Sequence, residues 1–244
     1  MEKEKIIAVK NLTKKYGDFA AVDAISFDVY KGEIFGFLGA NGAGKTTAMK
    51  MLIGISNPTT GEANVAGFDV VKSPEMVKKN IGYMSQKFSM YDDLTVRENI
   101  VFFGGIYGLS RSDIKTKTTA LVKELQIEDI IDSLVGSLPL GWKQKLSFSV
   151  ALLHEPKIVF LDEPTGGVDP ITRRQFWEMI YTQAYKGTTI FVTTHYMDEA
   201  EYCDRVSIMV AGKIEALDTP KKLKEQFKVE SMNDVFLKLA RNVE

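Results

Sequence analysis

Gly39-Ala40-Asn41-Gly42-Ala43-Gly44-Lys45-Thr46-Thr47 fits the phosphate-binding pattern G-x-x-x-x-G-K-[ST] at every specified position. The apolar run Glu33 to Leu38 before it reads as a buried strand. Ala48 to Ile53 after it holds good helix formers, with no breaker before Gly54. Strand, glycine loop and helix together are the context in which this pattern becomes a site. Gly42 and Gly44 let successive backbone N–H groups turn inward toward phosphate oxygens. The helix starting near Gly44 adds unpaired N–H groups and the positive end of its dipole. Lys45 supplies a charge for the β- and γ-phosphates, and Thr46 a hydroxyl for Mg²⁺. The expected ligand is a nucleoside triphosphate with magnesium.

The rest of the composition narrows the class. The 244 residues suffice for one large domain or two small ones, and 45% hydrophobic with 26% charged residues is ordinary globular usage. A net charge of −1 argues against a sequence-independent nucleic-acid binder. The single cysteine, Cys203, excludes an intrachain disulfide and suits a reducing compartment. Met1 to Lys5 is charged and has no signal-peptide character. The longest apolar stretches, such as Ile100 to Leu109, fall short of the ~20 residues a spanning helix needs. A cytosolic chain is expected, reaching any membrane through a partner.

Along the chain, strands are expected at Ile6 to Leu12, Ala24 to Val29, Glu62 to Val65 and Ile81 to Met84, with a turn at Lys14 to Asp18. From Lys87 the texture becomes helical: Thr95 to Tyr107, Ser112 to Leu125 and Leu140 to Leu153. The α/β alternation then resumes with the strand Lys157 to Leu161, the helix Pro170 to Tyr185 and the strand Thr188 to Thr193. A short helix at Met197 to Cys203, the strand Arg205 to Val210, and a helical tail at Pro220 to Phe227 and Asp234 to Ala240 follow. The alternation implies an α/β fold, with a mostly parallel sheet and its ligand at the carboxyl ends of the strands. The helical stretch, about residues 87–154, reads as an insertion in that core.

Ile158 to Glu163 is an apolar strand ending in two carboxylates. Asp162 suits a Mg²⁺ position, reached through water, and Glu163 a base that polarises attacking water. Gln86 ends another strand, with an amide able to reach both. Taken alone, His195 and Tyr16 read as structural residues.

The set resembles the nucleotide-binding subunits of ATP-binding-cassette (ABC) transporters, from about Ile6 to Leu239. The resemblance rests on Gly39–Thr47, Gln86, Leu161-Asp162-Glu163-Pro164-Thr165, Asp169 and His195, in their order and spacing. It implies a single ATPase domain: a P-loop NTPase core at 1–86 and 155–219 with an N-terminal antiparallel β subdomain, a helical subdomain at 87–154, and a tail at 220–244. It implies that Tyr16 stacks on adenine, that Gln86 binds Mg²⁺ and senses the membrane partner, that Glu163 is the general base and that His195 contacts the γ-phosphate. Asp169 would lie between two nucleotide-binding subunits, identical or different, which sandwich two ATP molecules. Each site would be closed by the partner's signature segment. The tail Ser231 to Leu237 is similar to that of exporter subunits working with a separate ABC-2-type permease. Phe88, Met90, Tyr91, Phe102 and Phe103 would supply apolar contacts to that permease or else pack the insertion's own core, Phe102 and Phe103 equally well either way, and the chain would sit on the inner face of the cell membrane.

The signature segment, usually Leu-Ser-Gly-Gly-Gln, reads Leu138-Pro139-Leu140-Gly141-Trp142 here. Pro139 has neither the hydroxyl nor an N–H, so the donors left are the N–H groups of Leu140 and Gly141 at a helix start. Losing one charge-assisted hydrogen bond costs about 1.5–3 kcal/mol, which weakens an ATP clamp without preventing it. Two other readings remain at this stage: a soluble relative acting on ribosomes or DNA, and an accessory subunit that binds ATP with little turnover.

Overall fold

The computed structural model describes residues 3–86 and 90–241. A long antiparallel hairpin, β1 (Lys5–Tyr16) and β2 (Phe19–Tyr30), turns at Gly17-Asp18. With β4 (Thr60–Val65) and β5 (Phe68–Asp69) it forms a four-stranded sheet in the order β2-β1-β4-β5. The second sheet holds β3 (Ile34–Gly39), β6 (Ile81–Met84), β7 (Ile158–Asp162), β8 (Thr189–Thr194), β9 (Arg205–Val210) and β10 (Lys213–Asp218), in the order β10-β9-β3-β8-β7-β6. All its pairings are parallel except the β9–β10 hairpin. Every residue of β3, β7 and β8 is buried, as a parallel strand covered on both faces requires.

Strand alternation sorts the core into two layers. Phe35, Phe37, Phe160 and Phe191 point to the face covered by the hairpin sheet, where Phe27 stacks on Phe35 with ring centres 5.6 Å apart. Ile34, Leu38, Val159, Leu161, Ile190 and Val192 point the other way, onto α6 (Pro170–Tyr185) and α8 (Met232–Arg241). A third cluster joins α3 (Val96–Ile106), α4 (Arg111–Leu125) and α5 (Leu140–Ala151) through Val96, Ile100, Leu121, Leu146 and Val150. The helix starts follow local chemistry. Thr95 and Glu98 form a capping box on α3, and Asp169-Pro170 opens α6. Among the described residues no helix is long and apolar enough to cross a membrane.

Two differences from the expected elements matter. β1 runs on through Lys14 and Tyr16, so only Gly17 and Asp18 turn, and Tyr16 pairs directly with Phe19. The short helix α2 (Pro74–Asn80) and the edge strand β10 carry too few apolar residues to announce themselves. The short helix expected at Met197 to Cys203 is present as a 3₁₀ helix over Met197–Tyr202. The remaining helices are α1 (Lys45–Leu52) and α7 (Pro220–Phe227).

Candidate functional site

The loop between β3 and α1 is shaped by close approaches that only glycine permits. A Cβ on Gly39 would lie 2.5 Å from Met209 O, and one on Gly44 2.3 Å from Ala21 O, at φ +103°. Gly212 N donates to Ala43 O at 3.1 Å, so the β9–β10 hairpin also holds the loop. Lys45 is 4% exposed, and its Nζ donates to Gly39 O (2.7 Å) and Ala40 O (3.1 Å) and lies 3.4 Å from Glu163 Oε1. Burial pushes the Lys45 pKa down, against the opposing pull of the Glu163 and Asp162 carboxylates.

Asp162 and Glu163 leave the end of β7 in different directions. Asp162 is 2% exposed and accepts from Thr193 Oγ1 at 2.6 Å and Thr46 Oγ1 at 3.4 Å; burial raises its pKa. Glu163 takes the left-handed backbone, φ 48°, with its N–H directed to Thr193 O and Oγ1. Its carboxylate accepts from Gln86 Nε2 at 3.0 Å and meets His195 Nδ1 at 2.9 Å. Lys45, Thr46, Gln86, Asp162, Glu163 and His195, expected from positions far apart in the chain, are therefore one constellation. Among the described residues no group of three or more His, Cys, Asp or Glu side chains could hold a metal. One buried carboxylate beside one hydroxyl, with an amide nearby, fits Mg²⁺, a hard ion that keeps water and phosphate oxygens in its shell.

A cavity of about 440 Å³ opens over the loop, lined by Asn41, Gly42, Gly44, Lys45, Thr46 and Thr47, by Gln86 and Glu163, and by Tyr16 and Phe19. Tyr16 is 58% and Phe19 66% exposed, a pair of rings at the hairpin tip. Phe19 is the residue sequence reasoning missed. The signal was present, since a two-residue turn at Gly17-Asp18 places Phe19 opposite Tyr16.

Leu140, Gly141 and Asp169 are not brought to this cavity. They line a second one of about 580 Å³, with Pro139, Trp142, Lys145, Gly167, Val168, Thr172 and Gln175, and the two cavities share no lining residue. Pro139 caps α5 in extended backbone, and its carbonyl accepts from Trp142 N and Lys143 N. Gly141 packs closely on α6: a Cβ there would lie 2.6 Å from Thr172 Cγ2, so that side chain would have to shift. Lys145 Nζ sits 5.0 Å from the Trp142 ring centre and donates to Gln175 Oε1. The Asp169 carboxylate caps α6, accepting from Ile171 N, Thr172 N and Thr172 Oγ1. Of the expected permease contacts, Phe88 lies outside the described residues. Met90 is buried in the helical cluster, Phe103 packs against that cluster, and Tyr91 and Phe102 are 47% and 40% exposed.

A phosphate loop at the end of the central parallel strand β3, two carboxylates at the end of β7 with β8 between the two strands, and a helical lobe inserted before β7 define a P-loop nucleotide-binding protein. Residues 22–166 match the ABC transporter family model, and the chain belongs to that family. It is 50% identical over 223 residues to "Probable multidrug ABC transporter ATP-binding protein YbhF" of Escherichia coli, covering 91% of this chain and 39% of that protein. It thus spans about two fifths of the length of that relative. It is 37% identical over 220 residues to "Nod factor export ATP-binding protein I" of Burkholderia orbicola, covering 90% of this chain and 72% of that protein. The fold superposes on an ATP-binding subunit of an ABC transporter with a TM-score of 0.86 at 29% identity, over 96% of this chain and 99% of that one. A Clostridium perfringens cassette from an ABC transporter complex gives 0.82 at 27% identity, over 98% and 97%.

Proposed function

We propose that this chain binds ATP with Mg²⁺, hydrolyses it, and couples the cycle to export of a substrate through a separate ABC-2-type permease on the inner face of the membrane. The observation that carries the reading is the Glu163 carboxylate held between His195 Nδ1 at 2.9 Å and Gln86 Nε2 at 3.0 Å, beside Lys45. That is the position of a base poised next to a phosphate-binding loop. The export direction is supported by the relatives named for multidrug and Nod factor export.

In this reading the backbone of residues 39–46 and the Lys45 ammonium hold the β- and γ-phosphates, and Thr47 completes the loop contacts. Tyr16 and Phe19 flank adenine. Thr46, Asp162 and Gln86 would hold Mg²⁺, which would supply positive charge against the phosphates. Glu163 orients and deprotonates water, while His195 steadies Glu163 through Nδ1 and leaves Nε2 for the γ-phosphate. The loop and the helix start at Leu140-Gly141 line separate cavities in one chain, so two chains packed head to tail would let each α5 close the other's site. An identical copy is the simplest partner, because each chain carries both halves. Asp169 would then lie at that interface, and Tyr91 and Phe102 would face the permease. The separate helical cluster supports reading 87–154 as a helical subdomain of a core at 1–86 and 155–219, while the tail at 220–244 packs into the sheet core through Leu223, Met232, Val235 and Leu239.

Phosphate release by the purified chain tests the proposal. Mg²⁺-dependent turnover that disappears in Lys45→Ala is expected, and a protein that binds ATP without turnover contradicts it.

A further inference from the structure

Behind the Glu163–His195 contact lies a polar cluster to which the chemistry above assigns no task. Thr165 and Glu199 are 1% and 0% exposed, and Thr165 Oγ1 donates to Glu199 Oε1 at 2.5 Å. Thr165 follows Glu163 on the loop after β7, and Glu199 follows His195 on the 3₁₀ turn after β8. Their bond ties together the two segments that carry the catalytic pair. Arg173, in the first turns of α6, closes the cluster from a third direction. Its guanidinium carbon lies 4.2 Å from the Tyr196 ring centre, and Tyr196 in turn lies 4.2 Å from the His195 ring. Arg173 also approaches Glu199 Oε1 and Asp198 Oδ2, each at 3.7 Å. Glu199 Oε2 and Arg173 Nε are buried without a hydrogen-bond partner among the described residues.

Burying a carboxyl and leaving one of its oxygens unmatched is costly, and an apolar side chain would fill the same space more stably. What the polar group supplies is direction: a hydrogen bond holds two segments in one mutual orientation, where apolar packing tolerates sliding. We propose that Glu199, anchored by Thr165 and Arg173, is a positioning residue that keeps His195 Nδ1 within reach of Glu163. The inference rests on the ATPase reading above for its catalytic consequence. Arg173 N donates to Asp169 O at 2.9 Å. The rim of the second cavity is therefore one helical turn from the cluster.

The test uses Glu199→Gln, Thr165→Val and Thr165→Ser, with ATP affinity, turnover and the imidazole NMR signals of His195 as readouts. With two histidines in the chain, His195 is assigned by comparison with His154→Gln. Glu199→Gln and Thr165→Val should lower turnover about ten- to hundredfold with ATP affinity changed less than about threefold, because the pair is misplaced and the loop is not. Thr165→Ser, which restores the hydroxyl, should recover most of the loss. Glu199→Gln should add little to His195→Ala, since both act through the same contact. The His195 signals should move in Glu199→Gln and Thr165→Val and return in Thr165→Ser. Unmoved signals and unaltered turnover per folded molecule, even with a lower melting temperature, would make the cluster purely structural and overturn the inference. If the wild type shows no turnover, the ATPase reading fails, while the His195 signals still decide the positioning claim.

Discussion

At Glu163 a left-handed backbone is accepted by a residue with a Cβ, a conformation costing of order 1–3 kcal/mol. It sends the N–H back to Thr193 and the carboxylate forward to Gln86, His195 and Lys45. Glu163→Gln keeps the size and one acceptor oxygen but loses the charge beside Lys45 and the base. ATP binding should persist while phosphate release falls by about 10²–10⁴, and unchanged release would remove the base assignment. Tyr16 and Phe19 allow a graded test. Stacking on a base is worth about 1–3 kcal/mol, so replacing either ring by Ala should weaken ATP binding by about tenfold in titration calorimetry. No loss in Phe19→Ala would leave Tyr16 as the sole adenine platform. Gly44→Ala is harsher, with a Cβ driven to 2.3 Å from Ala21 O, and ATP binding should vanish.

Among the elements, α5 is where the sequence departs from the signature pattern of the family it resembles. Its start offers Pro139 and Leu140 where a serine hydroxyl and a glycine are usual, with Leu140 44% exposed and Gly141 pressed on Thr172. Pro139→Ser with Leu140→Gly should tighten ATP-dependent association by about one to two powers of ten, the worth of one charge-assisted hydrogen bond. Association that stays the same or weakens would mean the clamp is not limited there. The elements legible in the sequence carry their own local chemistry: the glycine loop between β3 and α1, the paired acids ending β7, and Asp169-Pro170 opening α6. Those that escaped depend on distant partners. Phe19 matters only once β1 is seen to run to Tyr16. β10 is an exposed edge whose turn, at Gly212, happens to hold the phosphate loop. The Thr165–Glu199 bond spans 34 residues, so no spacing rule points to it.

For the whole molecule, two cores flank the parallel sheet and a third fills the helical lobe, so loop and α5 belong to differently packed parts. Cys203 reports on the layer beneath the His195 segment. It is 7% exposed, and burial raises its thiol pKa well above the ordinary value. Native protein should therefore react slowly with a thiol reagent and rapidly once unfolded; fast labelling of native protein would show that this layer opens. Apart from the chemistry, the proposed function requires that one chain hold half of each ATP site. Sedimentation of Glu163→Gln protein with and without Mg²⁺-ATP tests it most directly. A shift from monomer to dimer mass on ATP addition, lost in Lys45→Ala, is predicted. A protein that binds ATP and stays monomeric at every concentration would contradict it.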